Sequence, residues 1–348
     1  MRRRHVRIRA LTPSFRTLTD PASFGKFYGF TPYSRPFSLG EDATVPYDSI
    51  VCVKQVPDTA NITAEAMKED GTVNRAALPA IFNPEDLHAL ETALEVRDLY
   101  GGTVTVLTMG PPKAAEVLRE CLYRGADRAI LLTDRRAAAS DTLATSYILA
   151  QAIRTIGRYD FVFCGRQAID GDTAQVGPQC AEKLGVTQIT YLEKLVSLED
   201  HRVQIRRNFG HGWEIVEASL PVLVTVIETA NEPRPPAARR VMRLKRARVP
   251  AEVLGETKEA MPNAAEEAVA AEAQARIEAL RQKDLLLEQW DLDRIGADLN
   301  RCGLAGSPTK VFRIQSIVLT KSGYTEIPAT QEGVKQLVHE LVIEHTLG

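Results

Sequence analysis

The chain has 348 residues, with 43 Lys and Arg against 45 Asp and Glu, and its net charge of −2 sets up no global field for nucleic acid or a membrane surface. No uncharged apolar run approaches the roughly 18 residues of a spanning helix, so no direct membrane span is expected. The five cysteines (Cys52, Cys121, Cys164, Cys180 and Cys302) form no CxxC pair, which argues against a metal or disulfide framework and points to a reducing compartment, with the cytoplasm as the expected location.

Residues 1–46 form a separate segment in which Arg2, Arg3, Arg4, Arg7, Arg9 and Arg16 precede the first acid, Asp20. An Arg-rich, acid-poor start is similar to an organelle transit peptide; a flexible tail or a start codon placed too far upstream fits the same residues. A dispensable extension is the favoured reading.

From residue 48 onward strands and helices alternate. Residues 49–54 read as a strand ending in a loop over 55–59. Residues 84–100 read as a helix, with Leu87, Leu90 and Leu94 on one stripe and Gly101-Gly102 as its stop. A β-branched strand over 103–107 leads into the Met109-Gly110-Pro111-Pro112 turn and a helix over 113–124. Residues 129–132 are a short buried strand, 142–156 a helix, 161–164 a strand, 195–198 and 203–207 an edge hairpin, and 222–227 a last core strand. The expected fold is therefore α/β: an open, mostly parallel sheet with helices on both faces, Rossmann-like, spanning 47–235. Residues 236–348 are expected to add a basic loop, a helical insertion rich in Ala and Glu near 250–290, and a C-terminal arm.

The chain has no Walker P-loop, no GxGxxG after the first strand, no HExxH and no GxSxG, so hydrolase and transferase chemistry lack a case. His211, between two glycines, reads as a turn; His88, His201, His339 and His345 read as surface or satisfied residues. No catalytic side chain and no metal site are expected.

The densest motif is Gly165-Arg166-Gln167-Ala168-Ile169-Asp170-Gly171-Asp172-Thr173-Ala174-Gln175-Val176-Gly177-Pro178-Gln179. It follows an apolar strand and leads into a helix stopped by Gly185. An open parallel sheet binds nucleotides outside such a strand end, with helix-terminal amides facing phosphate. An ordinary strand-to-helix turn has the same composition. Asp172 is a candidate cap for the helix that follows.

The wording of this loop goes further. It resembles the adenine-nucleotide loop of the electron-transfer flavoprotein β subunit, GKQAIDDDCNQTGQ, and is more similar still to the electron-bifurcating variant, GRQAIDGDTAQVGPQ. Val51-Cys52-Val53-Lys54-Gln55-Val56-Pro57-Asp58-Thr59, Asn83-Pro84-Glu85-Asp86, Met109-Gly110-Pro111, Arg124-Gly125-Ala126-Asp127 and Asn231-Glu232-Pro233-Arg234 match in the same order. The resemblance covers residues 47–245 and resumes near Asp291, in Cys302-Gly303-Leu304-Ala305-Gly306-Ser307-Pro308-Thr309-Lys310-Val311-Phe312.

The resemblance implies a cofactor site built from Cys52, Lys54, Val56, Asp58, residues 83–86, Met109, Gly110 and residues 165–176. In the family the common loop holds AMP, whereas the bifurcating variant holds FAD, with NADH as electron donor. Gly171 and Ala174 stand where the common loop has an acid and an asparagine, which favours the larger ligand. Arg166, where lysine is common, is a candidate phosphate partner. The implied partners are an electron-transfer flavoprotein α subunit in a heterodimer, a dehydrogenase or other oxidoreductase, and ferredoxin as a low-potential acceptor. Asn231, Glu232, Pro233 and Arg234 lead into a recognition loop whose apolar anchor falls at Ala238, with Val241 as the substitute. A nucleotide-sensing module without a redox role leaves that segment and the C-terminal arm unexplained.

Overall fold

The computed structural model describes residues 7–8, 46–58, 78–210, 212–309 and 327–343. Most of the N-terminal extension, Thr59, His211, residues 310–312 and His345 lie outside them. Residues 327–343 belong to a second unit, whose described residues include the helix Gln331–Ile343; the other described residues form the first unit.

In the first unit, β1 (Arg7–Ile8) is followed by β2 (Ser49–Cys52), β3 (Gln55–Pro57), β4 (Ala80–Phe82) and α1 (Pro84–Tyr100). Then come β5 (Val104–Met109), α2 (Ala115–Arg124), β6 (Arg128–Leu132), α3 (Thr142–Ile156), β7 (Phe161–Gly165) and α4 (Val176–Leu184). The chain continues through β8 (Thr187–Glu199), β9 (Arg202–Asn208), β10 (Trp213–Ser219), β11 (Val222–Val226), α5 (Ala238–Leu244), α6 (Pro250–Ala260), α7 (Glu266–Gln282) and β12 (Glu288–Trp290). The main sheet has ten strands in the order β1-β10-β9-β8-β11-β7-β2-β5-β6-β12. Neighbours from β8 through β11, β7, β2, β5 and β6 to β12 are parallel, and the β8-β9-β10-β1 edge is antiparallel.

Strand periodicity divides the core between two faces. Val51, Phe161, Phe163, Val222 and Val224 pack with Leu90 and Leu94 of α1 and Leu118 of α2. Their neighbours Ile50, Val162 and Leu223 turn to the other face and meet Ile148 and Ile153 of α3 and Ala181 of α4. Both faces are covered, which is why these strands read as continuous apolar runs. Each fully buried side chain of this size contributes about 1.5–3 kcal/mol.

The winding explains where a crevice opens. From β2 the chain steps outward through β5 to β6 with α1 and α2 on one face. It then returns through α3, on the other face, to β7 on the opposite side of β2. The C-terminal ends of β2 and β7 therefore flank the reversal point, and their loops diverge around it.

Several boundaries differ from those expected. The strand read as 49–54 ends at Cys52. Lys54 leaves the ladder because its N–H donates to an Asp86 carboxylate oxygen at 2.9 Å and its carbonyl accepts from Asn83 N–H at 3.0 Å. Gln55–Pro57, read as loop, pairs instead with Ala80–Phe82 in a separate two-stranded ribbon. The edge hairpin is longer than read: β8 runs parallel to β11 through its first half and antiparallel to β9 through its second, and β10 adds a strand that was not anticipated. The basic loop after Pro236 contains α5, and residues 250–290 contain two helices, with Pro250 at the first position of α6.

Beyond β12, residues 291–309 fold back over the first unit. Leu292 and Ile295 enter the second-face core, and the Asp141 carboxylate accepts both the amide and the hydroxyl of Thr309 while capping α3.

Candidate functional site

The crevice is organised by the first turn of α1. Asn83, fully buried, donates from Nδ2 to the Gln167 carbonyl at 2.9 Å and accepts from Ile169 N–H at 3.1 Å. Glu85 accepts from Gln167 N–H at 2.8 Å and pairs with the Arg166 guanidinium at 2.7 Å. Asp86 accepts from Gly165 N–H and Lys54 N–H, each at 2.9 Å, and so ties the ends of β7 and β2 together. Burial pushes the Asp86 carboxyl up to about 7 against those hydrogen bonds, and burial likewise raises Glu85. These side chains fasten the loop after β7; they are spent on the protein rather than turned to the opening.

The approach is close enough to demand glycine. A Cβ at Gly165 would sit 2.6 Å from Asp86 Oδ1 and 2.8 Å from its backbone nitrogen. At Gly177, on the first turn of α4, a Cβ would meet Cys164 Sγ and Thr225 Cγ2 at 2.9 Å, so the helix rests directly on β7 and β11. At Gly171 nothing lies within 4 Å, and the loop is open there.

Among the described residues, the backbone N–H groups of residues 173–177 have no protein acceptor. They stand together at the head of α4, where the helix dipole favours an anion. Gln175 occupies the N-cap without a side-chain bond to the helix. Asp172, expected as a cap, is not one: it lies too far before Val176, takes a φ of +49°, and accepts from Gln167 Nε2 at 3.2 Å. Ala174 also has a positive φ, +52°, a conformation in which asparagine is more at ease than alanine.

Across the mouth, Lys54 Nζ reaches Asp170 at 2.7 Å and links the loops after β2 and β7. Arg166, read as a phosphate partner, is turned instead to Glu85 and lies 5.9 Å from the Tyr191 ring centre. The Cys52 thiol is pushed well up by burial and stays neutral. Val56 and Asp58 are buried in the β3–β4 region, with Asp58 N–H donating to Pro79 O at 2.8 Å. Met109 packs toward Leu132 and Trp290 on the β6–β12 side, and Gly110 N–H donates to Leu132 O at 3.0 Å, so this pair stands apart from the amide cluster. Pro84 opens α1.

Sequence reading missed the polar clasp below α4. Gln175 Oε1 accepts from Thr142 Oγ1 at 2.9 Å, and Gln179 Oε1 accepts from Ser146 Oγ at 3.2 Å. A Thr and a Ser four apart at the start of α3 were the available signal, legible only once α3 and α4 are known to be neighbours.

The Asn231–Arg234 segment is a latch on the outer side of α1. Asn231 Nδ2 donates to Thr92 Oγ1 at 2.9 Å and to the His88 carbonyl at 3.1 Å, and the Arg234 guanidinium grips Glu91 at 2.9–3.0 Å and Asp98 at 2.8 Å. Glu232 points to solvent and Pro233 is half-buried. Ala238 lies exposed at the first position of α5 and Val241 is half-buried; Met242, at 68 % exposure, is the larger apolar side chain offered there.

Residues 70–253 match the model of the electron transfer flavoprotein domain. The chain is 39% identical over 296 residues to the electron transfer flavoprotein subunit beta of Clostridium acetobutylicum, an alignment covering 85% of this chain and 98% of that protein. It is 43% identical over 271 residues to the protein FixA of Azorhizobium caulinodans, covering 76% and 83%. With the subunit beta of Megasphaera elsdenii it shares 41% over 272 residues, covering 76% and 86%. The parallel sheet with its reversal beside β2, the match to the family model and similarity along 83–98% of these relatives agree: the chain belongs to the electron transfer flavoprotein family, among its β subunits and FixA proteins.

Proposed function

We propose that the chain is the β subunit of a heterodimer with an electron transfer flavoprotein α subunit, and that its own crevice holds FAD for electron bifurcation. The observation that supports the ligand class is the run of amides at 173–177, whose donors suit the pyrophosphate of a dinucleotide. The residues fit FAD in particular because Gly171 and Ala174 leave the loop small and open where the common loop carries an acid and an asparagine. Bound there, FAD supplies acceptance of two electrons from NADH and their separate release toward a second flavin and a low-potential acceptor such as ferredoxin.

The chain's residues bind and orient. The amides hold phosphate, Asn83, Glu85 and Asp86 set the loop that carries those amides, and the Lys54–Asp170 pair spans the mouth. Gly177 lets α4 settle onto the sheet so that its dipole points into the crevice. The neutral Cys52 thiol takes no proton-transfer role.

The test restores the common loop by Gly171→Asp with Ala174→Asn in the co-expressed heterodimer. Gly171 has open space and Ala174 already has the backbone that asparagine favours, so the fold tolerates both changes and only the ligand feels them. One flavin should be lost and replaced by AMP, with the melting temperature of the flavin-free protein unchanged. Retention of the same flavin content would refute the FAD assignment.

A further inference from the structure

The helical insertion carries a second charged concavity, made from elements that take no part in the nucleotide crevice. Arg246 and Arg248, on the approach to α6, and Arg276 and Lys283, on and just past α7, converge on a cleft of about 310 Å³. One acid, Glu256, faces it. The same two helices also carry Glu259, Glu266, Glu267, Glu272 and Glu278, none of which lines the cleft. Acids are at hand, yet a surplus of positive charge is kept together.

The floor is rigid. Arg248 is held through its backbone by bonds to Leu285 O at 3.0 Å and from Leu287 N at 2.9 Å. Its Nε donates to Glu256 Oε1 at 2.8 Å. Arg276 donates to the other Glu256 oxygen at 2.6 Å and to Thr257 Oγ1 at 2.8 Å, and that hydroxyl is fixed in turn by donating to Val253 O at 2.7 Å. One carboxylate thus orients two guanidiniums. Arg248 Nη1 also donates to Ala247 O at 3.0 Å and Lys245 O at 3.3 Å, which leaves its Nη2 free among the described residues, while Arg276 keeps its Nε–H and one N–H on each Nη. Among the described residues, Arg246 and Lys283 have no ion-pair partner. Ala279 and Leu280 form an apolar wall between these charges.

We propose that this cleft is a second anion site that takes the di- or triphosphate group of a small ligand. The free N–H groups of the two oriented guanidiniums are charge-assisted donors for phosphate oxygens, and Arg246 and Lys283 add charge from the rim. The volume lies at the lower end of the range for small-ligand pockets. An acidic protein surface would be met by cations spread over an outward face, whereas these converge inside a concavity.

The test is calorimetric titration of the full chain, its nucleotide crevice saturated with FAD, with inorganic tripolyphosphate at about physiological ionic strength. One saturable site is expected. Arg246→Ala with Lys283→Ala should weaken it at least about tenfold by removing two charge-assisted contacts. Ala279→Glu, on an exposed helix position, should abolish it by placing a carboxylate in the wall. Both variants should keep the parent's melting temperature and bound nucleotide. Asn83→Ala, which loosens the nucleotide loop, should leave tripolyphosphate affinity unchanged, so failure here is distinct from failure of the flavin assignment. The proposal is overturned by the absence of saturable binding up to about millimolar ligand, by unchanged affinity in both cleft variants, or by loss of binding in Asn83→Ala. Tighter binding of polyglutamate that displaces tripolyphosphate would overturn it in favour of a protein-docking surface.

Discussion

Asn83→Ala isolates the side chain that holds the nucleotide loop in place. It removes two hydrogen bonds, to Gln167 O and from Ile169 N–H, and the Asn83 contact with the Asp86 carboxylate, while leaving the two backbone N–H bonds by which Asp86 bridges β2 and β7. A bond of this kind contributes about 0.5–1.5 kcal/mol net, and more where the partner is left dry. Gln167 and Ile169 are only half-buried, so water can reach them and the two bonds together amount to roughly 2 kcal/mol. If the loop must be ordered to bind, that loss appears directly in affinity, as a weakening of roughly 30-fold. The assay is calorimetric titration of nucleotide-free chain with FAD and with AMP, paired with hydrogen exchange at residues 165–177. Exchange should rise in the loop and stay slow in β2 and β7. Asn83→Asp keeps an acceptor for Ile169 but sets a carboxylate oxygen against the Gln167 carbonyl, and should bind at least as poorly. Thr142→Ala, which removes the exposed bond to Gln175 and the long bond from Gln179 Nε2 at 3.5 Å, should change affinity by less than about threefold. Affinity in Asn83→Ala within about threefold of the parent would refute the reasoning.

Further expectations concern the same crevice. Gly165→Ala drives a Cβ to 2.6 Å from Asp86 Oδ1 and should cost about 1–3 kcal/mol by urea unfolding, whereas Gly171→Ala, with nothing within 4 Å, should cost less than about 0.5 kcal/mol; equal costs would contradict the packing described. Asp86, pushed up to about 7 from 3.8, binds its proton more tightly when folded, so its contribution is present below about pH 4 and lost as pH rises through 7. The stability of the parent relative to Asp86→Asn should therefore fall by about 2–3 kcal/mol from pH 5 to pH 8, and a difference independent of pH would count against the burial argument. Arg234→Ala leaves Glu91 buried and unpaired and should destabilise the fold by about 3 kcal/mol or more in urea; a change below about 0.5 kcal/mol would show the latch to be passive.

What the sequence made legible follows from where the information sits. Helices α1 and α3 were bounded correctly because their apolar stripes lie between local stops: Pro84 and Gly101 for one, Asp141 and Gly157 for the other. Strands β7 and β11 are buried on both faces and read as uninterrupted apolar runs. Gln55–Pro57 has no period to read, and it became a strand only because Asp86 and Asn83 capture the backbone of Lys54. The Pro-rich stretch before α5 hid a helix that starts just after the last proline, and Pro250 marks the start of α6. At the site, the place of the loop after β7 was legible, yet the bonds that hold it were not. Glu85 and Asp86 read as nucleotide contacts, and Arg166 as a phosphate partner. Each is committed to a protein partner some 80 residues away in sequence, a relation that no local pattern records.

The central claim is that this chain holds a flavin of its own. Flavin and nucleotide released by denaturing the co-purified heterodimer should amount to two FAD per pair of chains, with no AMP. One FAD accompanied by one AMP would contradict the account and make the crevice the AMP site of an ordinary electron transfer flavoprotein.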